Sequence, residues 1–248
     1  MYDVDPQEDT WEQHAGWWQK GFTDGADAEY NQQIIPLATA LLAGYDRVLD
    51  VGTGEGQIGR AAAAGGSSLV IGADPTNAQI VEANRRGGGP RFVRSVADGL
   101  PFPDRSFDAV VACLVFEHIE AMDQAVAEIA RVLTTGGRFA CFLNHPLIQT
   151  PGSGWVDDQI MEPPEQYWRI GPYLVESIES EEVAKEVFLP FVHRPVSRYV
   201  NAMADHGLVL RRMHEPPPPE GFLKRATEYR QAATIPRLLV LVAEREPR

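Results

Sequence analysis

Cysteine is nearly missing from this chain: only Cys113 and Cys141 are present, each inside an apolar stretch. They read as buried thiols, which excludes a small secreted fold stapled by disulfides. Lysine is scarce as well (Lys20, Lys185 and Lys224), and 22 Lys+Arg stand against 35 Asp+Glu for a formal net charge of −13. Nucleic-acid binders concentrate cations, so a broad phosphate-contacting surface is not expected. No apolar run approaches the roughly 18 to 20 residues that a membrane span needs, so no membrane partner is expected. The opening MYDVDPQEDTWEQ is acidic and polar, without the basic and apolar regions of a secretory leader, and the cytoplasm is the expected compartment. There is no internal repeat and no long charge block. The only low-complexity patch, Pro216 to Pro219, reads as a stiff extended connector.

What is present is an ordinary globular composition: 248 residues, 44% apolar and 23% charged. That length buries a full core without metal or disulfide help. Residues 11–43 look helical in two pieces, with Gly44 suited to a helix end. From there short apolar runs alternate with amphipathic helical patterns. Strands are expected at Arg47–Val51, Ser68–Ala73, Arg91–Ser95, Asp108–Val115 and Arg138–Leu143. Helices are expected at Gln57–Ala64, Thr76–Arg86 and Ala121–Leu133. Strands apolar throughout, separated by such helices, indicate a parallel sheet covered on both faces. Residues 144–194 break the alternation with prolines, two tryptophans and two tyrosines, and extended runs are expected at Tyr173–Ile178 and Val187–His193. A segment of that length and character reads as a lid or small added subdomain. A helix returns at Val196, Tyr199, Val200 and Met203, with Pro195 in its first turn and Gly207 past its end. Strands at Leu208–Met213 and Arg237–Val242 close the chain.

The sharpest signal is VLDVGTGEGQIGR, residues 48–60. A buried strand runs into Gly52, Gly54 and Gly56, and a helix follows. Glycines there let the backbone turn tightly and approach a ligand with no Cβ in the way, and the helix start offers unpaired N–H groups. Asp74 lies 22 residues beyond Gly52, at the end of the second strand, where a carboxylate is able to accept both hydrogen bonds of a ribose diol. The residues alone leave the cofactor open, because Gly54, Gly56 and Gly59 also satisfy the GxGxxG dinucleotide pattern.

Four ordered segments resolve this by likeness: VLDVGTGEG (48–56), VIGADPT (70–76), LPFPDRSFDAVVACLVFEHI (100–119) and EIARVLTTGGRFACFLNHP (128–146). Together they resemble the class I S-adenosylmethionine-dependent methyltransferases, and more narrowly the bacterial group of small-molecule and quinone-biosynthesis methyltransferases. The likeness covers residues 45–146 and continues more weakly through 193–216. It implies an α/β fold: a doubly wound, mostly parallel seven-stranded Rossmann-like sheet with an antiparallel last strand and an inserted lid. Residues 1–44 would be N-terminal helices capping the cofactor site, 45–143 the cofactor-binding core, 144–194 the lid, and 195–248 a C-terminal helix and the last strands.

The resemblance implies S-adenosyl-L-methionine as cofactor and S-adenosyl-L-homocysteine as product. Asp50 would help hold the methionine end, which Gly52, Thr53 and Gly54 would line. Asp74 would take the ribose hydroxyls, Pro75 would lie against the adenine, and Leu114 would cover the other side. The family usually places an Asp where this chain has Val96, which leaves the backbone of Ala97 and the side chains of Asp98 and Ser95 to meet the adenine amino group. Among the N-terminal aromatics, Trp18 and Tyr30 are expected to touch the cofactor, and Trp11 and Trp17 to pack the helices onto the sheet.

Methyl transfer is an in-line displacement in which the protein mainly aligns the partners, and a base is needed where the acceptor must lose a proton. His145, at the carboxyl edge of the fifth strand, and His193, where the lid returns, are the candidate catalytic bases. His118, in the FEHI segment, is expected to pack or hydrogen-bond locally. No residue is assigned to a metal. Trp155, Tyr167, Trp168, Tyr173 and Phe191 suit a largely apolar acceptor pocket. The expected function is transfer of a methyl group to a small organic acceptor, at oxygen ahead of nitrogen or carbon. Methylation of a macromolecule, a cofactor-binding protein without activity and a nicotinamide dehydrogenase are the alternatives; ACLVFEHI in place of an N/D-P-P-Y/F motif argues against methylation of base or amide nitrogens.

Overall fold

The computed structural model describes residues 6–247; the first five residues, part of the polar start behind the compartment expectation, lie outside them. Helix α1 (Pro6–Phe22) is followed by a π-helical turn (Tyr30–Ile34) that continues into α2 (Ile35–Leu42). Then come β1 (Arg47–Val51), α3 (Gln57–Ala64), β2 (Leu69–Asp74), α4 (Asn77–Arg86), β3 (Arg91–Arg94) and β4 (Phe107–Cys113). A 3-10 turn (Phe116–His118), α5 (Met122–Val132) and β5 (Leu133–Asn144) complete the first half. The second half holds α6 (Pro146–Gln149), β6 (Gly154–Asp158), β7 (Glu165–Arg169), β8 (Ser177–Ala184), β9 (Val187–His193), α7 (Val196–Asp205), β10 (Leu208–His214), α8 (Glu220–Leu223) and β11 (Leu238–Arg245).

Seven strands form one sheet in the order β10-β11-β5-β4-β1-β2-β3. The pairs β1·β2, β2·β3, β1·β4 and β4·β5 are parallel, and β11 runs antiparallel to both β5 and β10. The fold is therefore the expected doubly wound sheet with an antiparallel last strand. Side chains alternate between its faces, as pleating requires. Leu49, Val51, Val110, Phe139 and Leu241 join one core with α5 and α7. Val48, Val70, Val111, Phe142 and Val240 join the other with α2 and α3. Strand order reverses between β1 and β4, so their carboxyl ends diverge and open a crevice, the place where such sheets bind ligands.

The elements depart from expectation mainly outside this sheet. Residues 144–194 fold into two separate hairpins, β6·β7 and β8·β9. The first was not expected, and β8 begins at Ser177 rather than Tyr173. Its sequence SIESEEVA is polar, half exposed and without a buried residue, so hydrophobic patterning gives no strand signal there. Pro195 is the N-cap of α7, at φ −65° and ψ 154°, rather than part of its first turn. Among the described residues no helix is long and apolar enough to cross a membrane, and no cluster of three or more His, Cys, Asp or Glu side chains is placed to hold a metal ion.

Candidate functional site

The crevice at the β1/β4 divergence is shaped first by backbone. The chain leaves β1 through Gly52 at φ +67°, Gly54 at +55° and Gly56 at +93°, the left-handed region that favours glycine. Gly52 also needs its hydrogen for space: a Cβ there would lie 2.3 Å from Val115 Cγ2. The loop is tied to the end of β2, with the Gly52 and Thr53 N–H groups donating to Ala73 O at 2.8 and 3.1 Å.

Two buried carboxyl groups fix its shape. Asp50 Oδ2 accepts from Thr53 Oγ1 at 2.6 Å and from the Gly59 N–H at 2.9 Å, so it holds both the loop and the start of α3. Burial pushes its pKa up to about 7 against the pull of those hydrogen bonds. Asp74 Oδ2 accepts from the Gly54 N–H at 2.8 Å and Oδ1 from the Thr76 N–H at 2.9 Å; burial raises its pKa too. Each Asp74 oxygen accepts one of these bonds, and a carboxylate oxygen accommodates two.

These groups line a cavity of about 280 Å³. Gly52, Thr53 and Gly54 stand at one end with Asp50 beneath them, Asp74 and Pro75 follow, and Ser95, Val96, Ala97 and Asp98 close the far end. Leu114 lies across from them at φ +56°, rare for a residue with a branched side chain. Trp18 and Tyr30 complete the wall from the N-terminal side. All eleven residues expected to hold the cofactor thus face one volume. That volume suits an adenosyl amino acid, because its wall joins a glycine loop to a carboxylate with spare acceptor capacity.

Sequence reasoning missed part of this wall. Trp11 lines the cavity, with its ring edge-on to His118 at 4.9 Å and to Trp18 at 5.7 Å. Trp17 is a packing residue against Phe22 and Trp18. His118 also lines the cavity; its Nδ1 donates to Pro190 O at 2.8 Å, and burial lowers its pKa to about 4, so it is neutral near pH 7. Gln79, buried at the start of α4, accepts from Gln19 Nε2 at 2.9 Å and so ties α1 to the site. Glu12 adds a second tie by accepting from the Asn77 and Ala78 N–H groups at 2.7 and 3.0 Å. The ties made by Gln19 and Glu12 each span 60 residues or more, and local pattern gives no sign of them.

Neither of the two expected bases, His145 and His193, lines the cavity. His145 caps α6, with Nδ1 accepting from the Leu147 N–H at 3.1 Å and Nε2 lying 2.8 Å from Glu215 Oε1. Both its nitrogens are engaged. His193 is 2% exposed and donates from Nε2 to Tyr173 O at 2.9 Å, while its Nδ1 is buried without a partner. It anchors the return of the second hairpin. Nearby, Arg194 is buried and donates to the carbonyls of Phe116, Ile119 and Glu120, which locks that hairpin to the turn after β4.

Known proteins resemble the chain in the same places. A methyltransferase domain family matches residues 49–141. A demethylmenaquinone methyltransferase of Thermus thermophilus is 36% identical over 121 residues, 46% of this chain and 53% of that one. A ubiquinone/menaquinone biosynthesis C-methyltransferase of Methylobacterium nodulans is 35% identical over 119 residues, 45% and 47% of the two chains. The chain thus spans about half the length of these curated relatives. The match to the demethylmenaquinone methyltransferase of Thermobifida fusca is longer, 35% identity over 164 residues, 60% of this chain and 67% of the relative. Among solved structures, an S-adenosylmethionine-dependent methyltransferase of Mesorhizobium loti superimposes with a TM-score of 0.75 at 26% identity, covering 90% of this chain and 99% of that one. The cavity, the order of strands around it and these relatives agree, and the chain belongs to the class I S-adenosylmethionine-dependent methyltransferases.

Proposed function

We propose that this protein transfers a methyl group from S-adenosyl-L-methionine to the oxygen of a small, largely apolar organic acceptor. The observation that carries the proposal is the cavity wall, in which Asp74 grips the glycine loop through the Gly54 N–H at 2.8 Å and keeps acceptor capacity for a diol. When bound, S-adenosyl-L-methionine supplies a methyl group on a positively charged sulfur, already activated toward a nucleophile. The protein's own part is to bind, orient and exclude water. Gly52, Thr53 and Gly54 offer a close backbone approach, with Asp50 holding the loop in shape. Pro75 and Leu114 supply apolar surfaces on either side of the cavity's middle, and Trp11, Trp18 and Tyr30 screen it from solvent. Holding the partners in line in a dry pocket is the main source of rate in such a displacement.

The aromatic content of residues 144–194 supports a small apolar acceptor, and a net charge of −13 is unfavourable for a nucleic-acid substrate. The curated relatives carry quinone-pathway names, one of them as a C-methyltransferase, so carbon is the competing atom. The test is transfer of isotope-labelled methyl from S-adenosyl-L-methionine to a panel of hydroxyarenes, with the product's new bond read by NMR. An O-methyl product supports the proposal. A C-methyl product moves the acceptor atom to carbon. Binding of both cofactor forms with no transfer to any acceptor class would leave a cofactor-binding protein.

A further inference from the structure

The turn that follows β4 sends three neighbouring side chains in three directions. Phe116 is 1% exposed in the sheet core. Glu117 is buried toward the end of β5, where its Oε1 accepts from the Asn144 N–H at 3.1 Å and from the Asn144 side chain at 2.9 Å. His118 is left on the cavity wall. Its N–H donates to Val115 O at 2.8 Å, closing one 3-10 turn, and in such a turn the side chains of residues i and i+3 eclipse. Val115 is the side chain that packs on Gly52, so His118 stands at the glycine-loop end of the cavity rather than at the end closed by Ser95 and Asp98.

The His118 ring is held in one orientation and one tautomer. Trp11 meets it edge-on at 4.9 Å, and Phe191 meets it at 4.6 Å and 57°. Its Nδ1 faces the carbonyl of Pro190, which only accepts, so the neutral ring carries its hydrogen there and presents a lone pair at Nε2. Nε2 has no hydrogen-bond partner among the described residues. The other titratable groups of the wall are committed elsewhere. Asp50 and Asp74 hold the glycine loop, and Glu55 pairs with Arg60 and Arg86. Burial pushes the Tyr30 hydroxyl and the Cys113 thiol well above their usual range, so both keep their protons. Asp98 and Glu120 are exposed, where water competes for them.

We propose that His118 is the base of this methyl transfer: Nε2 accepts the hydrogen bond of the acceptor's hydroxyl group inside the cofactor cavity and takes its proton as the oxygen is methylated. The assignment rests on the methyltransferase reading of that cavity. As the oxygen–carbon bond forms, the carbon–sulfur bond breaks with its electron pair left on sulfur, and the hydroxyl proton passes to Nε2. The imidazolium returns that proton to water once product leaves. An oxygen gaining a third bond is a far stronger acid than an imidazolium, so even a weakly basic ring suffices. The neutrality of His118 near pH 7 keeps the lone pair available in nearly every molecule.

The first measurement compares phenol, protonated at about pH 8 like a tyrosine side chain, with pentafluorophenol, which is ionised there. With labelled S-adenosyl-L-methionine, His118→Gln, whose amide can still donate to Pro190 O, is expected to lower kcat on phenol by roughly a hundredfold or more and on pentafluorophenol by less than about fivefold. Its affinity for S-adenosyl-L-homocysteine should stay within about threefold in calorimetry, which separates a lost base from a lost fold. The second measurement is heteronuclear NMR of the full chain with isotope-labelled histidines and S-adenosyl-L-homocysteine bound, His118 being assigned by its absence from the variant. Phenol is expected to move Nε2 from the position of a free lone pair toward that of a hydrogen-bonded nitrogen and to leave Nδ1 in place. Equal losses on the two phenols, no loss on phenol, or an Nε2 signal that phenol does not move overturns the proposal. A wild type that methylates neither phenol, while phenol still moves Nε2, would keep His118 as the site of the acceptor's hydroxyl and overturn transfer to oxygen instead.

Discussion

The half of the molecule that lines the cofactor cavity and the half that follows β5 are built by different means. Between β1 and β5 the site is made of backbone: strand ends, left-handed glycines and two carboxyl groups that hold peptide N–H groups. Beyond β5 the hairpins are held by side-chain rings brought from distant segments, as where Trp155 meets Tyr229 and His118 meets Phe191. Backbone geometry tolerates few sequences and so leaves a repeated signature. Ring packing admits many substitutions of similar volume and leaves none. The family match over residues 49–141 stops where the first mode of construction ends.

That contrast is sharpest in stability. Phe142 is fully buried in the core beneath β5, and Phe142→Ala should cost about 3 to 5 kcal/mol by urea unfolding. Phe188, in the second hairpin, is 49% exposed, and Phe188→Ala should cost less than about 1 kcal/mol. Equal losses would mean that the hairpins belong to the same cooperative core.

Binding should divide in the same way. Asp74→Ala removes a charge-assisted site for the ribose and the anchor of the Gly54 N–H, and should weaken S-adenosyl-L-homocysteine binding by about 30-fold, on the order of 2 kcal/mol, in calorimetry. An unchanged affinity would show that the second strand does not meet the ligand.

The buried acids set a pH dependence of definite sign. Burial raises Asp50 and Glu117 from their usual carboxylate range to about 7. Between about pH 4 and 7 the folded chain therefore binds more protons at these groups than the unfolded chain does. Their contribution to stability is fully present below about pH 4 and is lost as pH rises to about 7, above which it is flat. Arginine-paired carboxylates such as Glu82, held down to about 2, act oppositely at lower pH, although exposure weakens that contribution. Urea unfolding at pH 5 and pH 8 should show the fall, and Asp50→Asn should make it shallower. A stability that rises from pH 5 to 8 in the wild type, or an identical slope in the variant, would contradict the burial argument.

The smallest effect is expected at the two histidines outside the cavity. His145→Ala removes the cap on the Leu147 N–H, about 1 kcal/mol of stability. Turnover in His145→Ala and His193→Gln should stay within about threefold of the wild type at saturating cofactor. A loss of a hundredfold or more in kcat with unchanged cofactor affinity would return one of them to the role of base.

These differences also mark what was legible in the sequence. The bounds of β1, α3 and β9 were readable to the residue, because apolar runs, glycines and prolines punctuate them. The glycine loop and Asp74 were readable because a strand end fixes where the next residues must lie, and Asp50 and Leu114 only through the likeness to the family. Trp11 was not: its contact with His118 spans more than a hundred residues, and the apolar face of a helix looks the same whether it meets a core or a ligand. The position of His145 at the carboxyl edge was readable, but the direction of its ring was not, since that depends on the cap it gives α6 and on Glu215. The β6·β7 hairpin escaped because neither strand has a buried residue, β6 being mostly half-buried and β7 alternating exposed and half-buried positions, with no continuous apolar side.

Titration of the full chain with S-adenosyl-L-methionine, S-adenosyl-L-homocysteine and NAD tests the central claim most directly. One-to-one binding of the first two and none of the third is the predicted result. Tight binding of NAD, with neither adenosyl amino acid bound, would contradict it.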